Sequence, residues 1–146
     1  MYGVGGRKMI PLRVHNALDY VLGGLLILSP TIFGMGDIDS ARGMFWFLGF
    51  GLIGYSLLTR YPYSLVKAIP LGVHMALDVV VGLALMLAPT VLGYRSLISD
   101  GQNAAHFVLG LGAIGLVALT DRKSDRAPAY KTESAEEQER KTKRAA

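Results

Sequence analysis

Residues 73–93 read VHMALDVVVGLALMLAPTVLG, and residues 14–34 read VHNALDYVLGGLLILSPTIFG. Both stretches are almost wholly apolar, and each is close to the roughly 20 residues that cross a bilayer as a helix. Aligning residues 10–35 with residues 69–94 gives fifteen identities in twenty-six positions. The chain therefore contains an internal duplication, and the repeated segment predicts a membrane-spanning helix.

A second apolar stretch follows each copy of the first. The segment LGFGLIGYSLLT, residues 48–59, matches LGLGAIGLVALT, residues 109–120, at seven of twelve positions. Duplication of a two-helix unit explains both matches. Because each unit crosses the bilayer twice, both copies enter it from the same side, so we expect parallel repeats related by a pseudo-twofold axis along the membrane normal. The predicted fold is an all-α membrane protein with four transmembrane helices.

The composition favours the same class of protein. Hydrophobic residues make up 51% of the 146 positions, and the mean hydropathy is +0.38, which leaves little polar surface for a soluble domain. A soluble four-helix bundle would need polar residues every three or four positions on an outer face, and GMFWFLGFGLIGYSLL, residues 43–58, has no such face. The chain has no cysteine, which excludes disulfides and thiolate metal ligands.

Charged residues indicate the orientation of the predicted helices. One side of the membrane receives Arg7, Lys8, Arg13, Arg60 and Lys67, and the other side receives Arg42 and Arg95. Since Lys and Arg are retained on the cytoplasmic side, both termini are predicted to be cytoplasmic. The chain then divides into an N-terminal cytoplasmic segment (1–9), a first repeat (10–60), a cytoplasmic loop (61–68), a second repeat (69–120) and a charged, disordered tail (121–146).

Each copy opens with a histidine and an aspartate four residues apart. The four residues, which we call the quartet, are His15, Asp19, His74 and Asp78. The spacing puts the two side chains of a copy on one helix face, and ionisable groups within a bilayer face the bundle interior, so we expect the quartet to meet. Three interpretations remain open: a polar clamp between the repeats, a proton or cation site, and a haem or metal bound through His15 and His74.

Prolines and glycines mark the rest of the repeat. Pro30 and Pro89 each remove a backbone donor late in a helix, which predicts a kink or an early helix end. The pattern G-x-G-x-x-G occurs twice, but neither copy follows a strand in a βαβ unit, so it does not indicate a dinucleotide site. We expect its glycines to allow close helix packing, within the bundle or against another protein. They are Gly49, Gly51, Gly54, Gly110, Gly112 and Gly115.

A two-helix unit given twice, with VHxALD near its start and a Ser-Pro pair late in its first helix, resembles the SPW repeat family of small bacterial integral membrane proteins. The likeness covers residues 10–120. It departs at the family's tryptophan, which Thr31 and Thr90 replace, and at the serine, which is kept as Ser29 and lost at Ala88. The resemblance implies this fold and a multi-pass location in the bacterial cytoplasmic membrane, and it implies no activity.

The sequence predicts function less specifically than fold. No serine, lysine or carboxylate pair has a recognisable base and orienting partner, so we expect no enzyme activity. The leading hypothesis is a scaffold or accessory subunit that contacts lipid and either forms a homo-oligomer or joins a larger membrane complex, with no cofactor and no nucleic-acid partner. One alternative is a proton- or cation-handling unit built on the quartet. The other is a haem- or metal-binding electron carrier that uses His15 and His74.

Overall fold

Four long helices make up most of the protein. The computed structural model describes residues 10–60, 63–122 and 140–144. The helices are α1 (Leu12–Ile32), α2 (Asp39–Leu58), α3 (Leu71–Val91) and α4 (Asp100–Leu119). The N-terminal segment 1–9, positions 61–62 of the central loop and most of the charged tail lie outside the described residues, and the disorder predicted for the tail falls largely there. Residues 140–144 of the tail are helical.

Among the described residues, three of the four helices are long and apolar enough to cross a membrane, namely α2, α3 and α4. The first helix falls short because its N-terminal half carries Arg13, His15, Asn16 and Asp19. Three of these polar residues are buried inside the molecule, and Arg13 is exposed next to the start of the helix. The prediction of helical structure is confirmed, and three of the four helices have the length and composition that crossing a membrane requires.

The helices pack as two hairpins, α1 along α2 and α3 along α4, and α2 also contacts α3. Glycines form the crossing point of each hairpin. A Cβ atom on Gly49 would lie 2.8 Å from the carbonyl oxygen of Gly23, and one on Gly110 would lie 2.5 Å from the carbonyl oxygen of Gly82. The helix backbones therefore touch at these two places, and no side chain fits between them.

The six glycines of the G-x-G-x-x-G pattern divide into two groups. Gly49 and Gly110 lie at the hairpin crossings. A Cβ atom on any of the other four would meet no heavy atom within 4 Å, so they make no close packing within the described part of the chain. These four are Gly51, Gly54, Gly112 and Gly115. The crossing partners Gly23 and Gly82 were not among the predicted packing glycines.

The substitution Gly110→Ala is expected to lower the free energy of unfolding by about 1–3 kcal/mol, because the added methyl group overpacks the crossing. Gly112→Ala is the matched control, since it lies two residues further along α4 and its Cβ meets only open space. Alanine favours a helix over glycine by about 0.5–1 kcal/mol, so the control should be neutral or slightly stabilising. Thermal unfolding in detergent, followed by circular dichroism, measures both. Equal losses of stability in the two variants would contradict the crossing.

Two very short strands close the bundle at one end. Strand β1 (Ile10–Pro11) pairs in parallel with β2 (Thr120–Asp121), with Ile10 opposite Thr120. An isolated bridge joins Thr59 to Ile69 in the same way. The last residues of each hairpin therefore pair with the residues that precede the first helix of the other hairpin. The all-α prediction missed these pairings because a two-residue strand has no periodic pattern to detect.

The opposite end of the bundle is reached just after the two helix prolines. Pro30 and Pro89 lie inside α1 and α3, which end two residues later. The turns that follow use Gly34 and Gly93, whose φ angles are 66° and 74°. These left-handed conformations favour glycine, because a Cβ atom would clash with the backbone there. Proline and glycine together stop the helix where the chain must reverse.

Candidate functional site

The quartet lies at the end of the bundle where α1 and α3 begin. His15 Nε2 is 3.2 Å from Asp78 Oδ2 and 3.4 Å from Asp19 Oδ1. His74 Nε2 is 3.1 Å from Asp19 Oδ2 and 3.2 Å from Asp78 Oδ2. All four side chains are at most 5% exposed. The four residues singled out in the sequence are thus in mutual contact, within each helix and between the hairpins.

Two threonines form hydrogen bonds with the Nδ1 atoms of the quartet histidines. Thr59 and Thr120 follow the last residues of α2 and α4. The Thr59 hydroxyl donates its proton to the carbonyl of Tyr55 (2.6 Å), so at 2.9 Å it must accept from His74 Nδ1. In the same way, the Thr120 hydroxyl donates to the carbonyl of Leu116 (2.6 Å) and accepts from His15 Nδ1 (2.7 Å).

The direction of these bonds fixes the orientation of both rings. A hydroxyl has one proton, and each threonine gives it to a carbonyl of the preceding helical turn. Each imidazole therefore carries a proton on Nδ1 and turns Nε2 toward the two carboxylates. The sequence contained a signal for this arrangement, because Thr59 and Thr120 are identical residues at matching positions of the two repeats.

One further contact breaks the symmetry of the site. The Tyr55 hydroxyl donates to Asp78 Oδ1 at 2.7 Å, and its ring meets the edge of the His74 ring with centroids 4.9 Å apart. Leu116 occupies the matching position in the second repeat. Asp78 thus has a hydroxyl donor from α2 that the sequence match does not provide for Asp19.

Two neighbouring residues are buried with polar atoms that lack a partner. The side-chain nitrogen of Asn16 and the hydroxyl oxygen of Ser56 have no hydrogen-bond partner among the described residues. The Asn16 side-chain oxygen accepts from the backbone N–H of Tyr63 at 3.2 Å. Asn16 follows His15 and Ser56 follows Tyr55 in the chain. Sequence reasoning did not single out either residue, since neither is shared between the two repeats.

The chemistry of the quartet is that of two bases and two acids closed off from solvent. Buried charges persist only where they are paired and hydrogen-bonded. Two imidazoles and two carboxylates satisfy one another when a proton lies between each Nε2 and a carboxylate oxygen. The same atoms also form a group that can surround a metal ion, since one ligand atom from each residue lies within 4.8 Å of all the others.

A second buried histidine lies away from the quartet, near the start of α4. His106 Nδ1 donates to the carbonyl of Gln102 (2.8 Å), and its Nε2 accepts from the Tyr94 hydroxyl (3.0 Å). The Phe45 ring covers it, with centroids 4.9 Å apart. Burial raises the pKa of Tyr94 to about 12, because the phenolate would lose its hydration. This cluster is satisfied internally and contacts no quartet residue in the described contacts.

A model of the SPW repeat domain matches residues 13–120, which include nearly all of the four helices and the whole quartet. The chain belongs to the SPW repeat family. The resemblance drawn from the repeated motif is therefore confirmed, and with it membership of a family of small membrane proteins. No curated protein and no solved structure matches the chain. In this SPW protein the tryptophan positions, Thr31 and Thr90, are exposed at the far ends of α1 and α3 from the quartet.

Proposed function

We propose that this SPW protein crosses the bacterial cytoplasmic membrane with four helices, arranged as two parallel repeats about a pseudo-twofold axis along the membrane normal. The pairing of contacts supports this arrangement. Exchanging the two repeats converts the contact of His15 with Asp78 into that of His74 with Asp19. Of the polar residues that reduce the hydropathy of α1, His15, Asn16 and Asp19 are buried inside the bundle, and Arg13 lies in the first turn of the helix, near the bundle end.

Both termini and the central loop face the cytoplasm in this proposal. The end of the bundle that holds the quartet carries Arg13, Arg60 and Lys67, and Arg7 and Lys8 precede it in the sequence. The opposite end carries Arg42 and Arg95. An excess of basic residues in short connections is typical of the cytoplasmic side.

The orientation predicts which loops a membrane-impermeant reagent reaches. The protein has no native cysteine, so a single introduced cysteine is the only thiol. Ser96→Cys, exposed between α3 and α4, should react with an impermeant maleimide in intact spheroplasts. Ala68→Cys, exposed in the central loop, should react only after the membrane is opened. The reverse pattern would refute the orientation.

The function that we propose is that of a scaffold or accessory subunit without catalytic chemistry of its own. This proposal rests on four glycines that point away from the bundle, because a Cβ atom at each would meet only open space. They are Gly51 and Gly54 on α2, and Gly112 and Gly115 on α4. Small residues on a membrane helix let another helix approach closely. Gly112 and Gly115 also line an apolar groove of about 490 Å³ between α1 and α4. We infer that a transmembrane helix of a partner protein packs on these glycines.

In this proposal the quartet is a clamp that gives the two glycine faces a fixed relative position. The inter-hairpin hydrogen bonds run from α1 to α3 and to the end of α4, so loss of the quartet would loosen one hairpin against the other. Polar side chains commonly connect membrane helices in this way, because their alternative is an unpaired group in hydrocarbon. The clamp and the partner surface are thus two parts of one structural role.

Co-purification tests this role directly. The tagged full chain is extracted from its native membrane in a mild detergent, and the proteins that accompany it are identified and quantified by mass spectrometry. A stoichiometric partner is expected, and Gly54→Leu with Gly115→Leu should remove it. Gly24→Leu is the matched control, since its Cβ also meets open space but it lies outside the glycine pattern. Recovery of the chain as a monomer or as a homo-oligomer alone would contradict the accessory role.

A second candidate function is proton or cation handling, which one observation favours. Each quartet carboxylate contacts both histidines, so a proton can pass between the hairpins through short contacts of 3.1–3.4 Å. Ionisable residues within a membrane commonly lie on proton or ion paths. Proton flux into liposomes that contain the purified chain separates this function from the scaffold, and flux that survives Asp19→Asn with Asp78→Asn would exclude the quartet as its path.

A further inference from the structure

We propose that the quartet binds one divalent transition-metal ion, with Zn²⁺ as the best-fitting member of the class. His15 Nε2, His74 Nε2 and one oxygen each from Asp19 and Asp78 are the ligands. This goes beyond the structural role proposed above, and it does not depend on a partner protein. It also differs from haem ligation, since the two aspartates take part as ligands and their carboxylates contact both rings.

The lone pairs of the quartet point toward one another. The threonines Thr59 and Thr120 accept the Nδ1 protons, so each imidazole in its neutral form presents the lone pair of Nε2 to the carboxylates. Carboxylate oxygens also present lone pairs. Four lone-pair atoms facing one another repel unless positive charge lies among them. A single divalent ion supplies the two positive charges that balance two carboxylates.

The spacing of the ligand atoms is close to that around a zinc ion. Zn²⁺ holds nitrogen and oxygen ligands at about 2.0–2.1 Å in a tetrahedron, which separates neighbouring ligand atoms by about 3.3 Å. With Asp19 Oδ2 and Asp78 Oδ2 as the ligand oxygens, three Nε2 to oxygen distances are 3.1, 3.2 and 3.2 Å. One ligand atom from each residue lies within 4.8 Å of the others. Three nitrogen–oxygen spacings thus match those around a tetrahedral ion, and the ion would draw the remaining pairs together.

Hydrogen bonds from neighbouring residues hold the ligands in place. Histidines that bind metals donate their other ring N–H to an oxygen, which fixes the ring and strengthens the ligand. Both quartet histidines do so, to Thr59 and Thr120 at 2.9 and 2.7 Å. Ligating carboxylates are in turn hydrogen-bonded. Asp78 receives the hydroxyl of Tyr55 at 2.7 Å.

The chemistry of the ligands selects the class of ion. Two imidazole nitrogens and two carboxylate oxygens suit Zn²⁺ and, less tightly, Fe²⁺ or Mn²⁺. Ca²⁺ and Mg²⁺ take six or more oxygen ligands, which four buried side chains do not offer. The quartet lies within two helical turns of the starts of α1 and α3, so the bundle end is the shortest route by which an ion would reach it.

The test uses the untagged full chain in detergent, stripped of metal by a chelator and titrated with Zn²⁺ alone against a competing dye. One Zn²⁺ is expected per chain, at sub-micromolar free concentration. Co²⁺ in its place should give the intense visible absorption of a tetrahedral site. A folded, monodisperse protein that binds no Zn²⁺ would overturn the proposal, and so would binding whose Co²⁺ spectrum is octahedral.

Variants then assign the binding to the quartet. His15→Asn with His74→Asn should abolish it, and Thr120→Val, which leaves all four ligands in place, should weaken it about 10–100-fold. His106→Gln is the matched control, because it changes the other buried histidine of the described helices and should leave the affinity unchanged. Binding that persists in the double variant, or an unchanged affinity in a folded Thr120→Val protein, would contradict the assignment.

Discussion

Asp78→Leu is expected to lower the free energy of unfolding by about 3–5 kcal/mol, the cost of removing one partner from a buried charged pair. Asp78 accepts from Tyr55 and contacts both quartet histidines, so its loss removes the carboxylate acceptor of Tyr55 and leaves Asp19 as the one quartet carboxylate for both histidines. Equilibrium unfolding in mixed micelles measures the change. Asp39→Leu is the control, since Asp39 lies in an exposed ion pair at the opposite end and should shift stability by less than about 0.5 kcal/mol.

If the quartet is a clamp, the same unfolding measurement should also show that a quadruple leucine variant is more stable than the single variant. Replacing all four quartet residues by leucine removes both histidines together with both carboxylates, and such exchanges of a buried ionic cluster for apolar side chains are often neutral. The quadruple variant should therefore be more stable than Asp78→Leu alone, although it carries three more substitutions. A quadruple variant as unstable as the sum of its single changes would rule out mutual satisfaction as the basis of the clamp.

Much of this site was predictable from the sequence, because the same histidine and aspartate occur in both copies of the repeated motif. The spacing of His15 and Asp19 puts them on one helix face, and the repeated motif predicts equivalent positions for His74 and Asp78 in the second hairpin, so the four residues are expected to meet. The supporting threonines were not predicted. A threonine at a helix end follows no periodic pattern, and its hydrogen bond to the other hairpin exists only once the hairpins are packed.

The directions of the glycines show where sequence reasoning fails. Gly49 and Gly51 are two residues apart on α2, so they point about 200° apart around the helix. Gly49 touches α1, while Gly51 faces open space. Because both faces of a membrane helix are apolar, hydropathy does not distinguish the face that meets another helix from the face that meets lipid. Only the packed structure shows that Gly49 faces a neighbouring helix and that Gly51 does not.

Leu111→Arg is expected to destabilise membrane insertion by about 2.5–3.5 kcal/mol, the cost of an arginine at the centre of a spanning helix. Leu111 lies at the middle of α4, and its side chain is 58% exposed. In water, an arginine at so exposed a position would be harmless. The fraction of chain recovered in the membrane, measured by quantitative blotting after carbonate extraction, should fall sharply.

Leu97→Arg turns this result into a test of the bilayer's position. Leu97 is 66% exposed, slightly more than Leu111, but it lies in the short turn between α3 and α4. A soluble bundle would tolerate both substitutions, since solvation depends on exposure alone. In a membrane the two must differ, because an arginine in the turn reaches the polar interface and one at the centre of α4 does not. Equal recovery of the two variants would therefore contradict a membrane-spanning α4. Lower recovery of Leu111→Arg than of Leu97→Arg would support lipid around the middle of α4.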